Sequence, residues 1–261
     1  MRRYLSLYGY FLTLRIKTLL SYRLDFVIGA VASAVMQTST FLALFFILRQ
    51  TGTMEGWTLP ELQLLYGSLI LSLALNQMFA DNLWSMTHLV RSGKFDTFLT
   101  RPVHPLFHLL AERFNHVGIG DFVCGSILVA LAAPSLPFVF AGWRMLYWML
   151  SVLAGGGIFF SLNLLCSVSA FWLLDSVTIT RVVFDNHQFA KYPLTIFPYL
   201  LYGLLTFLLP YGLAAFHPIA WLLGKPGALP ALLPLVCALA LTSVSIVLWC
   251  RALPRYTSAG S

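Results

Sequence analysis

RSGKFDTFLTRPVHPLF, residues 91–107, is a charged segment that lies between two long apolar runs of this sequence. Its basic residues Arg91, Lys94 and Arg101 surround one acid, Asp96, and two prolines follow. Proline disfavours helical geometry in the residue before it, so the Arg101-Pro102 junction should end any helix that begins upstream. The segment therefore predicts a polar connection between two apolar elements.

The composition places those apolar elements in a membrane. Of the 261 residues, 59% are hydrophobic and only 10% are charged, and the mean hydropathy is +0.83. A soluble domain carries about 25% charged residues. Because a bilayer offers no water to the backbone, we predict an all-α integral membrane protein. The net charge of +7 indicates basic membrane loops rather than nucleic-acid binding.

Six apolar runs are long enough to cross a bilayer, which needs about 20 residues. They are Phe26–Leu48, Leu62–Ala80, His116–Ala133, Trp143–Leu174, Pro193–Leu209 and Leu229–Cys250. The fourth is longer than a bilayer requires and is expected to tilt or project beyond it. Six crossings place both termini on one side of the membrane.

The basic residues predict which side that is. This arrangement places most of the basic residues on the side of the termini. They are Arg2, Arg3, Arg15, Lys17, Arg23, Arg91, Lys94, Arg101, Arg113, Arg181, Lys191, Arg251 and Arg255. The other side receives only Arg49, Arg144 and Lys225. The positive-inside rule then predicts that both termini are cytoplasmic. Residues 1–25 read as an interfacial amphipathic helix rather than a signal peptide, because Arg15 and Lys17 interrupt the apolar run.

Several classes of function lack the residues that they require. Neither Gly93-Lys94 nor Gly224-Lys225 is followed by the Ser or Thr of a phosphate-binding P-loop. His104, His108 and His116 lack the further ligands that a metal site needs. No carboxylate falls in the middle of a predicted span, which argues against an ion-coupled transporter or a channel with a charged ring. We therefore predict no catalytic residue, and no metal or cofactor held by this chain.

Two groups of polar residues remain as candidates for function. Mid-span amides either line a path for cargo or bond across helices, and they are Gln37, Asn76, Gln77 and Asn163. The second group lies in residues 83–99, which are predicted to form one amphipathic helix. Its apolar side would pack towards the membrane, and Arg91, Lys94 and Asp96 would then either meet a soluble partner or form an ordinary solvated loop. The triple glycine at residues 155–157 predicts close helix packing.

Two blocks of this sequence resemble a branch of the ATP-binding-cassette type-2 permeases, the membrane subunits of bacterial export systems. In RSGKFDTFLTRPVHPLFHLLAERF, residues 91–114, the matching residues are Arg91, Gly93, Asp96, Arg101, Pro102, Pro105, Glu112 and Arg113. In the block at residues 189–225 they are Tyr192, Pro193, Ile196, Pro198, Pro210, Pro218 and Leu222 to Lys225. Lys94-Phe95 departs from the pattern, because Glu-Leu is more usual there.

This resemblance implies one transmembrane permease domain over residues 1–261, without a nucleotide-binding domain. Two permeases, identical or related, would pair through spans one and five above two cytoplasmic ABC ATPase subunits, which would bind ATP and magnesium. Residues 81–115 would form the cytoplasmic coupling loop, and residues 211–228 an extracellular re-entrant region. The ATPase-coupling residues would be Arg91, Gly93, Lys94, Phe95, Asp96, Arg101 and Pro102, and the re-entrant region would contain Pro210, Pro218 and Gly224. The expected location is the bacterial inner membrane.

Two other functions stay open on the sequence. A membrane-embedded enzyme that modifies lipids would need an ionisable cluster, for which Glu112, Arg113, His116 and Asp121 are the candidates. A scaffold or assembly factor would carry no cargo. The cargo of an exporter is left open among amphipathic drugs, lipids and lipid-linked molecules.

Overall fold

The structure is a computed structural model that describes residues 9–10, 13, 23–172 and 176–256. Most of the predicted interfacial helix at residues 1–25 lies outside the described residues. The α-helices are α1 (Arg23–Thr51), α2 (Leu59–Ala80), α3 (Met86–Arg91), α4 (Asp96–Leu99), α5 (Pro105–Glu112), α6 (Val117–Ala132), α7 (Trp143–Val168), α8 (Val177–Asp185), α9 (Tyr199–Gly203), α10 (His217–Leu222) and α11 (Leu233–Ala252). The described part of the chain contains no β-strand, only one isolated bridge between Met54 and Trp57. The predicted all-α fold is confirmed.

Five helical segments in the described residues are long and apolar enough to cross a membrane. They are Phe26–Thr51, Leu59–Arg91, Val117–Ser135, Trp143–Phe171 and Leu233–Arg255. Each coincides with a predicted span, and the fourth, with 29 residues, is longer than a bilayer requires, as predicted. The protein is therefore a multi-pass membrane protein.

The two ends of the helix bundle differ in composition. One end, here called the basic end, carries the loop at residues 81–115 and the C-terminal turn Leu253–Arg255. The opposite end, called the tryptophan end, carries Trp57, Trp143 and Trp221, and the indoles of the last two lie 5.7 Å apart. Early α1 contacts the start of α6, because Gly29 lies against His116. The main described chain thus begins and ends at the basic end.

Small residues allow the central helices to pack closely. A Cβ placed on Gly67 of α2 would lie 3.0 Å from the carbonyl oxygen of Gly125 in α6. A Cβ on Gly155 of α7 would lie 2.6 Å from the carbonyl oxygen of Ala214 and would also collide with Ser72. Real Cβ atoms do not approach a backbone oxygen as closely as 2.6 Å, so Gly155 requires glycine, whereas a Cβ at Gly67 would require its neighbours to shift. The predicted packing role of the triple glycine is confirmed at Gly155.

The predicted fifth span, Pro193–Leu209, overlaps a bent pair of helices, Tyr199–Leu208 and Gly212–Leu222, which forms either one broken span or a re-entrant loop. Its helical part is Tyr199–Leu208, which is about 15 Å long and so covers only half of a bilayer. The chain instead returns from the basic end to the tryptophan end through α8 and two 3₁₀ turns, Asn186–Lys191 and Leu194–Ile196. Pro193 and Pro198 lack the N–H groups that a continuous helix would use there.

The segment after this return forms a hairpin inside the bundle. Tyr199–Leu208 and Gly212–Leu222 are two helical legs bent by 78° around Pro210. The rings of Tyr202 on one leg and His217 on the other lie 5.9 Å apart, so the legs run side by side. At the tip, Tyr211 stacks on Phe159 at 5.4 Å, deep along α7. The region predicted as re-entrant, residues 211–228, contains only the second leg.

Candidate functional site

The coupling loop is not the single helix that the sequence predicted for residues 83–99. A 3₁₀ turn (Asp81–Ser85) precedes α3, and a bend separates α3 from the short α4. Gly93 has a φ of 67°, a left-handed conformation that favours glycine and ends α3. The predicted single helix over residues 83–99 is therefore interrupted at Gly93, and Arg91 and Asp96 lie on two separate short helices.

Two aromatic side chains fix this bend to the bundle. Phe95 is completely buried, and its ring lies 5.1 Å from Tyr256, 5.6 Å from Phe171 and 6.2 Å from Trp249. Phe98, also buried, stacks beside it at 5.8 Å. These contacts connect the bend to the segment that follows α7 and to the end of α11.

The outer side of the same bend is polar and basic. Arg91, Lys94, Arg101 and Pro102 are exposed, whereas Asp96 at the start of α4 is half-buried. Three cations thus surround an apolar anchor on the surface of the basic end. The seven predicted coupling residues share one segment, in which Phe95 anchors the bend and Gly93 shapes it.

Two polar contacts hold the rest of the coupling loop in place. The Arg113 Nε lies 3.3 Å from the Asp81 carboxylate, which joins the two ends of the loop. Arg101 donates to His108 Nε2 at 2.8 Å. Burial and then the nearby guanidinium lower the pKa of His108, so its ring stays neutral and accepts this bond at neutral pH. Within the described residues, no group of His, Cys, Asp and Glu side chains is suited to a metal.

Three of the four predicted path residues line cavities between the spans. Gln37, Asn76 and Gln77 face two adjoining cavities of about 240 and 340 Å³ that share Leu73 and His187. Asn163 does not, because it is fully buried and donates to the Ala80 carbonyl at 3.1 Å. This bond joins α7 to α2, which is the second of the two roles that the sequence leaves open for these amides, and the role of Asn163 in a cargo path stays a prediction.

We call the two adjoining cavities the polar groove. Its upper cavity, nearer the tryptophan end, is lined by Gln37 and Thr40 of α1, Tyr66 of α2, and His187, Gln188 and Lys191. Its lower cavity is lined by Asn76 and Gln77 of α2, by Asp81, Trp84 and Asn115 of the coupling loop, and by Asp185. The groove thus runs from the middle of the bundle to the basic end.

Two charged residues, Lys191 and Asp121, lie in or beside the polar groove, which the sequence did not predict. Lys191 was assigned to the cytoplasmic surface because the fifth span was begun at Pro193, but its neighbours belong to the middle of α1 and α2. Asp121, assigned to a span end, is buried and accepts bonds from Ser33 and from Gln37 at 2.8 Å. Asp121 is nevertheless the fifth residue of α6, about 6 Å along the helix from its first residue, which agrees with its predicted position near a span end. The sequence signal for the position of Lys191 is that it stands two residues before an apolar run that Pro193 and Pro198 interrupt.

A comparison with protein families identifies the chain. A family model described as ABC-2 family transporter protein matches residues 34–260, which is most of the sequence. The chain belongs to the ABC-2 transporter permease family. No curated protein and no solved structure matches it. Membership implies a membrane subunit, generally non-catalytic, that works with an ABC ATPase.

The residues of the alternative enzyme do not form one cluster in this ABC-2 permease. Arg113 pairs with Asp81, Asp121 is held by α1, and the His116 ring lies 6.0 Å from Phe26. Arg113, His116 and Asp121 are thus each engaged in a separate contact. This arrangement favours structural roles for them over a shared catalytic one.

Proposed function

We propose that this chain is the membrane subunit of an ABC exporter that moves an amphipathic or lipid-like molecule outward. A separate ATPase, present in two copies, binds ATP and magnesium and docks at the basic end. The observation that carries this proposal is the bend at Gly93, which presents three cations outward while Phe95 is buried against two membrane spans.

The anchored bend is suited to transmitting motion. A partner that pulls on Arg91 or Lys94 moves Phe95, whose ring contacts are with Phe171, Trp249 and Tyr256. Close-packed aromatic groups transmit displacement because the interior has little free volume. The spans that end at Phe171 and Arg255 then move with the ATPase.

The distribution of charge supports a cytoplasmic position for the basic end. The exposed Arg91, Lys94, Arg101, Arg113, Arg251 and Arg255 lie there, as expected for the inner face of a bacterial inner membrane. At the opposite end, Lys225 is neutralised by Glu61 at 2.8 Å. The hairpin Tyr199–Leu222 would then enter the membrane from the outer side, as the re-entrant region of such exporters does.

The polar groove supports a path for the cargo. It lies between α1, α2 and the return segment, which is defined here as Val177–Ile196. A second permease, identical or related, would close it, so that the cargo moves between two facing grooves.

The experiment is a co-purification of the full-length permease from its native membrane, comparing the wild type with Lys94→Glu. We expect the wild type to retain an ABC ATPase and the variant to lose about tenfold or more of it, because a charge pair at the docking surface becomes repulsive. Arg49→Glu makes an equal charge change on an exposed residue at the tryptophan end and should retain the ATPase.

A wild type that purifies without any ATPase would contradict the proposed function. Equal retention by both variants would show that docking does not use the Lys94 surface. Glu is the more usual residue of the resembling branch at this position. Loss of the ATPase from Lys94→Glu would therefore indicate that the partner of this chain presents an acidic surface to Lys94.

A further inference from the structure

The polar groove contains one cation at a depth where cations are rarely found. Lys191 lines the upper cavity with Tyr66, Leu69, Ile70 and Leu73 of α2. These residues lie about 10 to 21 Å along α2 from its first residue, in a helix about 33 Å long. A lysine near a helix end can extend its ammonium group to the interface, but from the middle of a span it cannot.

Within the described residues, Lys191 has no acidic partner. The ion pairs there are Arg113 with Asp81 and Lys225 with Glu61. The Lys191 ammonium lies over the ring of Tyr192, whose centroid is 5.2 Å away. A cation–π contact stabilises a partly exposed cation by only about 0.5–1 kcal/mol, far less than removal from water costs in a membrane interior. The cavity therefore holds a positive charge that an anion would complement.

The lower cavity has the opposite polarity. The side-chain oxygens Asn76 Oδ1 and Gln77 Oε1 are buried there without a hydrogen-bond donor among the described residues. His187 lies between the two cavities, and its Nδ1–H donates to the Phe184 carbonyl, which leaves Nε2 as an acceptor. A buried acceptor without a donor costs about 1–3 kcal/mol, so a ligand that supplies donors here is favoured.

We propose that the groove binds an amphiphile whose head carries an anionic group together with hydroxyl donors. The anion pairs with Lys191 in the upper cavity, and the hydroxyls donate to Asn76 and Gln77 in the lower one. The acyl chains lie outside the groove, against the exposed apolar side chains of α1 such as Val35 and Met36. An anionic phospholipid with a glycerol head has this chemistry. The inference rests on the proposed function, because only a transporter makes the bound molecule its cargo.

The test is a binding measurement on the purified full-length permease, which requires no ATPase. Native mass spectrometry would follow its titration with dihexanoyl phosphatidylglycerol, dihexanoyl phosphatidylcholine and inorganic phosphate. We expect phosphatidylglycerol to bind about tenfold more tightly than phosphatidylcholine, which lacks hydroxyl donors and net charge. Lys191→Gln should weaken phosphatidylglycerol binding about tenfold, the usual effect of losing a charge-assisted bond.

Two variants control for folding and for overall charge. Lys191→Arg keeps the cation and should bind phosphatidylglycerol within about threefold of the wild type, which shows that position 191 tolerates substitution. Arg181→Gln removes an equal charge from an exposed position of α8 and should leave binding unchanged.

Three results would overturn the inference. They are equal binding of phosphatidylglycerol by Lys191→Gln and the wild type, equal binding of the two lipids by the wild type, and inorganic phosphate binding as tightly as phosphatidylglycerol. The last result would assign Lys191 to a free anion instead of an amphiphile. If the permease binds phosphatidylglycerol through Lys191 but no ATPase co-purifies with it, the lipid site is supported and the proposed transport function is contradicted.

Discussion

The coupling bend and the polar groove both present cations, but in opposite arrangements. At the bend, Arg91 and Lys94 point outward to solvent, and the buried side is apolar and closely packed around Phe95. In the groove, Lys191 lies among the membrane spans, and the acceptors of Asn76 and Gln77 lack donors within the described part of the chain.

This difference separates two tasks. The bend has its polar groups hydrated and its apolar groups packed, so it holds its shape without a ligand and is suited to transmitting force. The groove contains buried polar groups without hydrogen-bond partners among the described residues, and these lower the stability of the fold. Proteins tolerate such a loss of stability mainly where a bound ligand compensates for it. Variants of the bend should therefore affect ATPase docking and spare lipid binding, and variants of the groove should do the reverse.

The largest effect is expected from Phe95→Ala. Truncating a buried aromatic side chain costs about 3–5 kcal/mol, and here it removes the contacts with Phe98, Phe171, Trp249 and Tyr256. We expect loss of the co-purifying ATPase and a lower unfolding temperature of the purified permease. Phosphatidylglycerol binding should stay at the wild-type level, because the groove does not contact Phe95.

Two matched variants test the origin of this effect. Phe95→Leu introduces the residue more usual in the resembling branch, keeps an apolar side chain in the site, and should cost less than about 1.5 kcal/mol. Leu99→Ala truncates a side chain that is 43% exposed on the same segment and should retain the ATPase. A Phe95→Ala permease that binds its ATPase normally would refute the role of the aromatic anchor.

An intermediate effect is expected from Gln37→Met, next to the groove. The Gln37 amide donates to Asp121 at 2.8 Å and accepts from the Tyr66 hydroxyl at 2.6 Å, so it connects three spans. Losing two bonds between membrane helices should cost about 1–2 kcal/mol. Thermal unfolding of the purified variant measures this loss, and Thr38→Val, at the adjacent exposed position, is the control. An unchanged unfolding temperature would exclude the network as a stabilising contact.

The sequence predicted the bend better than the groove, for a physical reason. A charged segment between apolar runs stands out in composition, and the apolar spans on both sides required helices. The backbone conformation of Gly93 does not show in composition, so the predicted single helix missed the break that the φ of 67° imposes. The buried position of Phe95 depends on Trp249 and Tyr256, which are distant in sequence.

The groove depends on packing that the sequence does not reveal. A span that begins at Pro193 places Lys191 at the surface, whereas the structure places Lys191 in a segment of short α and 3₁₀ elements that is not a long apolar helix. The four predicted amides look alike in the sequence. Asn163 bonds to α2 whereas Asn76 and Gln77 line a cavity, and this difference arises only from the packing of α2 against α7. Hydropathy located the spans correctly but gave no information about which polar side chains face each other.

The smallest effect on stability is expected from Gln77→Met. The Gln77 side-chain oxygen is buried without a donor among the described residues, so replacing the amide removes an unsatisfied group and the unfolding temperature should stay level or rise. Phosphatidylglycerol affinity should nevertheless fall about threefold to tenfold, the effect of one lost hydrogen bond.

Asn163→Leu provides the comparison, because the Asn163 nitrogen donates to Ala80 and the residue lies outside the groove, although its oxygen, like that of Gln77, has no donor among the described residues. It should lower the unfolding temperature and leave phosphatidylglycerol affinity unchanged. If Gln77→Met instead destabilises the permease while Asn163→Leu weakens lipid binding, the assignment of one amide to cargo and the other to packing is reversed. Because both residues are uncharged amides on packed membrane helices, only their surroundings distinguish them, and this pair of variants measures the effect of those surroundings directly.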